Sequence, residues 1–158
     1  MIKTFEISPE MLSEAQEKAK EMGALLGSLL QGKGNLSGFV GEIAVRDILT
    51  ATQSNTYNYD LTLDDGSTVD VKTQAVNSIP REYYECNLNE HSTKQECDYY
   101  AFARVLSDLS KGWYLGKIKK KEFMKRAKLN HAGSLSASGN FVFKLNTYTI
   151  KIGDIENG

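Results

Sequence analysis

The chain has 158 residues, 41% of them hydrophobic and 25% charged, with two prolines, two cysteines and a formal net charge of −1. A chain of this length buries a core without needing a disulfide or a structural metal, so a single domain over residues 1–158 is expected, and the composition excludes a disordered or linker-rich protein. The near-zero charge excludes a generally basic nucleic-acid coat, and no apolar leader or long uncharged apolar run points to a membrane. Cys86 and Cys97 fit an intracellular, cytoplasmic setting, where thiols stay reduced. A zinc site through Cys86, His91 and Cys97 would have three ligands at unusual spacing, so two plain thiols are expected.

From the N-terminus, Ser8 and Pro9 form a helix start, followed by Met11, Leu12, Ala15, Ala19 and Met22 at helical spacing. This first helix ends near Gly23 or continues to Leu30. The glycine-rich stretch 31–38 breaks it, and 37–53 has Phe39, Val40, Ile43, Ala44, Ile48 and Leu49 on one helical stripe. From Asn55 the period changes to two, which predicts strands over 57–63, 68–74, 82–88, 99–106 and 113–118. A short basic helix over 119–129, a loop over 130–140 and one long strand over 141–152 complete the pattern. Helices packed on a mixed sheet give an α/β or α+β layer architecture.

The stretch YDLTLDDGSTVDVKTQ (59–74) is a hairpin that carries charges where strands ordinarily carry threonine or serine. Alternation puts Asp70, Lys72 and Gln74 on one face of their strand and Val69, Val71 and Thr73 on the other. The register decides where Asp60 lies. A two-residue Asp65-Gly66 turn would place it opposite Val71. A three-residue Asp64-Asp65-Gly66 loop with Gly66 left-handed would place it opposite Asp70, and Asp-Asp-Gly suits this second geometry. Facing carboxylates repel, so the pair makes physical sense around something positive, and a hard dication such as Mg²⁺ takes such oxygens. The competing reading of the trio is a salt-bridge cluster on a solvated sheet face.

A carboxylate followed by Asp-x-Lys on the next strand, with the glutamate of GFVGEIAV upstream, resembles the PD-(D/E)XK nuclease superfamily. The resemblance runs over roughly residues 37–106. It implies a restriction-endonuclease-like mixed β-sheet flanked by helices, here with an N-terminal helical segment. It also implies catalytic residues Glu42, Asp60, Asp70 and Lys72, with Gln74 supporting, and Mg²⁺, replaceable by Mn²⁺, held at Glu42, Asp60, Asp70 and Val71. Lysine in that superfamily helps to position or activate the attacking water. The chain departs from the pattern where Tyr59 replaces proline and where Asp70 stands in the position more often held by glutamate. Gly41 beside Glu42 would let that helix approach the sheet closely.

The segment KIKKKEFMKRAK (117–128) carries seven basic residues against one glutamate. Lys117, Lys119, Lys120, Lys121, Lys125 and Arg126 are therefore the candidate contacts to DNA phosphates, which position a duplex without reading its sequence. Arg81, Tyr83 and Tyr84 are candidates to line the approach to the site, whereas His91 and His131 lie in polar stretches suited to surface positions. The expected function is a metal-dependent endonuclease hydrolysing DNA phosphodiester bonds, as a small repair, recombination, resolvase-like or phage DNA-processing enzyme, and a homodimer would suit the cutting of two strands. A non-catalytic DNA-binding module, or a phage structural or inhibitor protein on the same fold, is the alternative.

Overall fold

The computed structural model describes residues 2–26 and 36–155, the side chains of 23–26 aside. It is a mixed α/β structure built from a six-stranded sheet and a smaller three-stranded one. Strand β1 (Lys3–Glu6) leads into α1 (Pro9–Leu26), whose first turn is capped as the sequence predicts, with Met11 N–H donating to Ser8 Oγ at 3.1 Å. The predicted glycine-rich break, and whether the first helix runs on to Leu30, lie outside the described residues. Helix α2 (Leu36–Leu49) is four residues shorter at its C-terminal end than predicted. Thr50 turns left-handed there, at φ 52°, and Thr52–Gln53 form the short strand β2.

Strands β3 (Leu61–Thr62), β4 (Thr68–Val76), β5 (Glu85–Asn89), β6 (Tyr99–Leu106) and β7 (Lys111–Lys119) follow, then α3 (Lys120–Arg126), β8 (Lys128–Asn130) and β9 (Thr147–Lys151). The large sheet has the order β1-β7-β6-β4-β3-β2, with β4 and β6 parallel and every other pair antiparallel. A parallel pair needs a long crossover. Here residues 77–98 supply it, and they contribute β5 to the second sheet, ordered β5-β9-β8, on the way.

Residues Tyr100 to Val105 of β6 are buried in an unbroken run, as a central strand covered on both faces requires. On one face Val69, Val71, Ala101 and Ala103 pack beneath Val45, Ile48 and Leu49 of α2. On the other, Tyr100, Phe102, Trp113 and Leu115 form a core with Cys86 and Leu88 of β5, Phe123 of α3 and Ile150 of β9. Helix α2 is itself enclosed from Val40 to Val45, because Ala15 of α1 covers Val40 and Ile43 from outside.

Three further sequence expectations change. The predicted strand 57–63 forms a ladder only at Leu61–Thr62, because Ser54 to Asp60 close on themselves, with Ser54 and Asn55 N–H both donating to Asp60 O. The long final strand 141–152 reduces to β9, and Phe143 instead exchanges backbone hydrogen bonds with Gly133 and Ser134. Strands β1, β2 and β8 have no alternating apolar pattern and were not expected; all three are short.

Gly41 sets the distance between α2 and the sheet. A Cβ there would overlap the side chain of Thr73 on β4. Gly41→Ala is therefore expected to destabilise the protein by about 1–3 kcal/mol, and adding Thr73→Ala should restore part of the loss. Urea unfolding of the two single variants and the double variant measures this coupling.

Candidate functional site

The hairpin turn is the three-residue loop. Gly66 is left-handed at φ +86°, its N–H donates to Leu63 O at 2.9 Å, and Leu63 N–H donates to Ser67 O at 2.8 Å. Asp65 stiffens the turn by accepting from Ser67 N–H and Oγ at 2.9 and 2.5 Å. The register that follows pairs Thr62 with Thr68 and Leu61 with Val69. One step on, where β3 has ended, the Asp60 carboxyl lies near that of Asp70. Asp60 Oδ2 accepts the Val71 N–H at 2.8 Å, taking a ladder hydrogen bond that β3 is too short to make.

Asp70 is 3% exposed and lies in register with Tyr100 of β6, as Lys72 does with Phe102 and Gln74 with Arg104. Lys72 Nζ stands 2.8 Å from Asp70 Oδ2 as an ion pair, although that oxygen makes no aligned hydrogen bond. The same ammonium donates to Gln95 Oε1 at 3.1 Å. Glu42, 7% exposed, comes from α2 beside this edge, and its Oε1 meets Lys18 Nζ of α1 at 3.6 Å and the side-chain amide of Gln53. Glu42 and Asp60 line a common cavity of about 290 Å³ with Lys18, Phe39 and Asn55. Asp70 thus lies with Lys72, and Asp60 shares a cavity with Glu42, while Gln74 is exposed and stands further along β4.

The electrostatics follow from crowding acids in a dry place. Burial first, then the charges of Asp70 and Glu42, push the Asp60 carboxyl up to about 8. Burial raises Glu42 as well, against the opposing pull of Lys18. Cys97, beside Asp70, is raised to about 11 by burial and then by that carboxylate. Tyr100 is buried next to Asp70 with its hydroxyl unpartnered.

Among the described residues no three His, Cys, Asp or Glu side chains stand close enough together to ligate one ion. Glu42 is instead engaged by Lys18 and Gln53. The donor chemistry nevertheless fits a hard divalent cation. Asp60 and Asp70 are neighbouring carboxylates, and Asp70 Oδ2 is buried with Lys72 beside it but no aligned hydrogen bond. Val71 enters through its N–H to Asp60, which holds a carboxylate in place.

Sequence reasoning missed Lys18, Gln53 and Gln95. Gln95 is a bracket: its side chain accepts from Lys72 and donates to Tyr57 O at 2.7 Å, while its main-chain carbonyl accepts from Lys120 Nζ at 2.6 Å. No local pattern marks such residues, because each acts from a different element. Lys18 had one weak signal, as a lysine close to the apolar stripe of an otherwise amphipathic helix.

Of the basic residues, Lys119, Lys120, Lys121 and Lys125 line an open groove of about 980 Å³ beside the hairpin turn and Cys97. Lys120 is partly committed to the fold through Thr93 O and Gln95 O. Lys117 lies over the Tyr99 ring at 4.4 Å, and Arg126 is exposed at the end of α3. Neither lines the groove. His91 and His131 are exposed, as expected, and Cys86 and Cys97 are free thiols.

Compared with known proteins, the chain matches no family model and no curated protein. No helix among the described residues is long and apolar enough to cross a membrane.

Because the folded-state value of Asp60 lies above the unfolded one, its contribution to stability is fully present below about pH 4 and is lost as pH rises through about 8. In chelator, the melting temperature should therefore fall across that window, and Asp60→Asn should flatten the fall. A pH series of thermal melts of both proteins decides it.

Proposed function

We propose that the chain is a metal-dependent deoxyribonuclease with a restriction-endonuclease-like arrangement, acting on DNA phosphodiester bonds. The observation that carries this reading is the meeting of Asp60 and Asp70, with Lys72 2.8 Å from Asp70, at the point where β3 leaves β4. A fold gains nothing from burying two adjacent carboxylates for their own sake. A catalytic site needs them, because they hold a cation at the reacting phosphate.

Asp60, Asp70 and Glu42 would hold Mg²⁺, or Mn²⁺ in its place, with Glu42 exchanging its contacts to Lys18 and Gln53 for the ion. A bound ion of this kind polarises the phosphate and makes water a better nucleophile. The chain's own residues do the rest. Val71 N–H fixes Asp60, and Gln95 holds the Lys72 ammonium at the mouth of the site. Lys72 is then placed to steady a water-derived nucleophile or the charge that develops on a phosphate oxygen. The lysine-lined groove next to the turn offers the phosphate contacts that orient a DNA strand. A homodimer would bring two such sites to the two strands of a duplex.

The second reading is a DNA-binding protein without catalysis, and the groove is what favours it, since the groove does not require the acids. Plasmid, linear and branched DNA incubated with Mg²⁺ or Mn²⁺ separates the two readings. Nicking or cutting is expected in the metal-containing reactions, and Asp70→Ala and Lys72→Ala should each reduce it by about a hundredfold or more. Cutting that survives both substitutions refutes the nuclease reading. DNA binding with no cutting under any condition favours the second.

A further inference from the structure

Arg104 of β6 is 7% exposed, and among the described residues no carboxylate lies within ion-pair reach of it. Its Nη2 donates to Glu85 O at 2.8 Å, its guanidinium carbon lies 5.5 Å from the centre of the Tyr84 ring, and its Nε has no partner. A guanidinium stays charged at any physiological pH, so a buried and unpaired one is costly to the fold. Such a residue makes sense when an anion completes it.

The surroundings say which anion. Arg104 lines two cavities that share Gln74 and Asn87. The smaller, about 260 Å³, is lined at one end by Lys72, the partner of Asp70, and lies along β4 and β6. The larger, about 590 Å³, is walled by Tyr83 and by the turn from Ser136 to Phe141, and falls in the range of nucleotide-sized pockets. Tyr83 and Phe141 are 69% and 46% exposed at its rim, each also meeting one neighbouring ring in a T-shaped contact, Tyr84 at 5.0 Å and Phe143 at 5.1 Å. Its one acidic wall residue is Glu85, whose main-chain carbonyl engages Arg104. A buried cation beside exposed aromatic rings suits a phosphate with an unstacked base attached, and a closed duplex cannot present one.

We propose that the Arg104 cavity is a subsite for an unpaired nucleotide flanking the bond to be cut. Arg104 binds its phosphate and Tyr83 stacks on its base. This rests on the nuclease reading and narrows it to single-stranded or branched DNA.

The test measures binding, in chelator, of labelled single-stranded and blunt duplex DNA to the full chain, with cleavage assayed separately in Mg²⁺. The unsubstituted protein should prefer the single strand. Arg104→Met should weaken that binding about tenfold and lower the salt slope by about one phosphate contact. It should still melt at or near the unsubstituted protein's temperature, since it removes an unpaired buried charge. Tyr83→Ala, at an exposed position, should weaken single-strand binding about fivefold or more. Pyrophosphate, at matched ionic strength, should raise the melting temperature of the unsubstituted protein and not of Arg104→Met. Equal affinity for single strand and duplex overturns the proposal, as does Arg104→Met binding with unchanged affinity and slope. If Arg104→Met fails to fold, retained single-strand binding by Tyr83→Ala together with no pyrophosphate effect on the unsubstituted protein overturns it. Binding that depends on Arg104 without metal-dependent cleavage upholds the subsite and rejects the nuclease reading; cleavage with binding independent of Arg104 does the reverse.

Discussion

The site depends on the register of one hairpin. Side chains on a strand alternate, so adding or removing one residue between Leu63 and Ser67 would send Asp60 to the opposite face from Asp70. The left-handed Gly66 and the Asp65 side chain clamped on Ser67 hold the turn at three residues. Everything downstream uses that register. Val71 presents its N–H to Asp60, Lys72 falls on the same face as Asp70, and β4 continues as a bare edge toward Gln74 once β3 has ended.

The consequence is a concentration of negative charge in a poorly hydrated place, and the fold answers it from several directions. Lys72 comes from the same strand, Lys18 from α1 and Gln53 from β2, while Asp60 is pushed toward its protonated form. These compensations are incomplete: Asp70 Oδ2 and Lys18 Nζ are buried without aligned hydrogen bonds. A purely structural polar cluster tends to close its network, since unsatisfied buried groups cost stability. In the proposed reading, a cation and a phosphate would be the last partners of these open valences. Arg104, on the same sheet face and equally unpaired, extends that logic beyond the carboxylates.

Much of the fold was legible where local signals agreed. Ser8 and Pro9 announce α1, the alternating run 99–106 announces β6, and Gly41 announces a close helix-to-sheet approach. The signals failed where the ladder, and not the residue type, decides. Tyr57 to Asp60 alternate like a strand, yet their backbone closes into a loop tied to Gln95 and Glu96 by Tyr57 O and the Asn58 side chain. Phe141 to Asn146 alternate too, yet Phe141 bonds Ser136, Phe143 bonds Gly133 and Ser134, and Asn146 bonds Glu90. Strands β1 and β2 arise because the edges of the large sheet accept whatever segment passes, a long-range event with no local pattern.

By itself the sequence favoured the three-residue turn and put Asp70 and Lys72 on one face of their strand, because turn chemistry and a period of two are local rules. It also determined that an acidic residue on a helix would follow a glycine, as Glu42 follows Gly41. Only the tertiary structure decided that Lys18 and Gln53 would hold Glu42, that Gln95 would bracket Lys72, and that Lys120 would serve the fold as much as any groove. It alone brought Arg104 level with Gln74, through the parallel pairing of β4 and β6 across a crossover of more than twenty residues. Those partners are far apart along the chain, and packing, not spacing, brings them together.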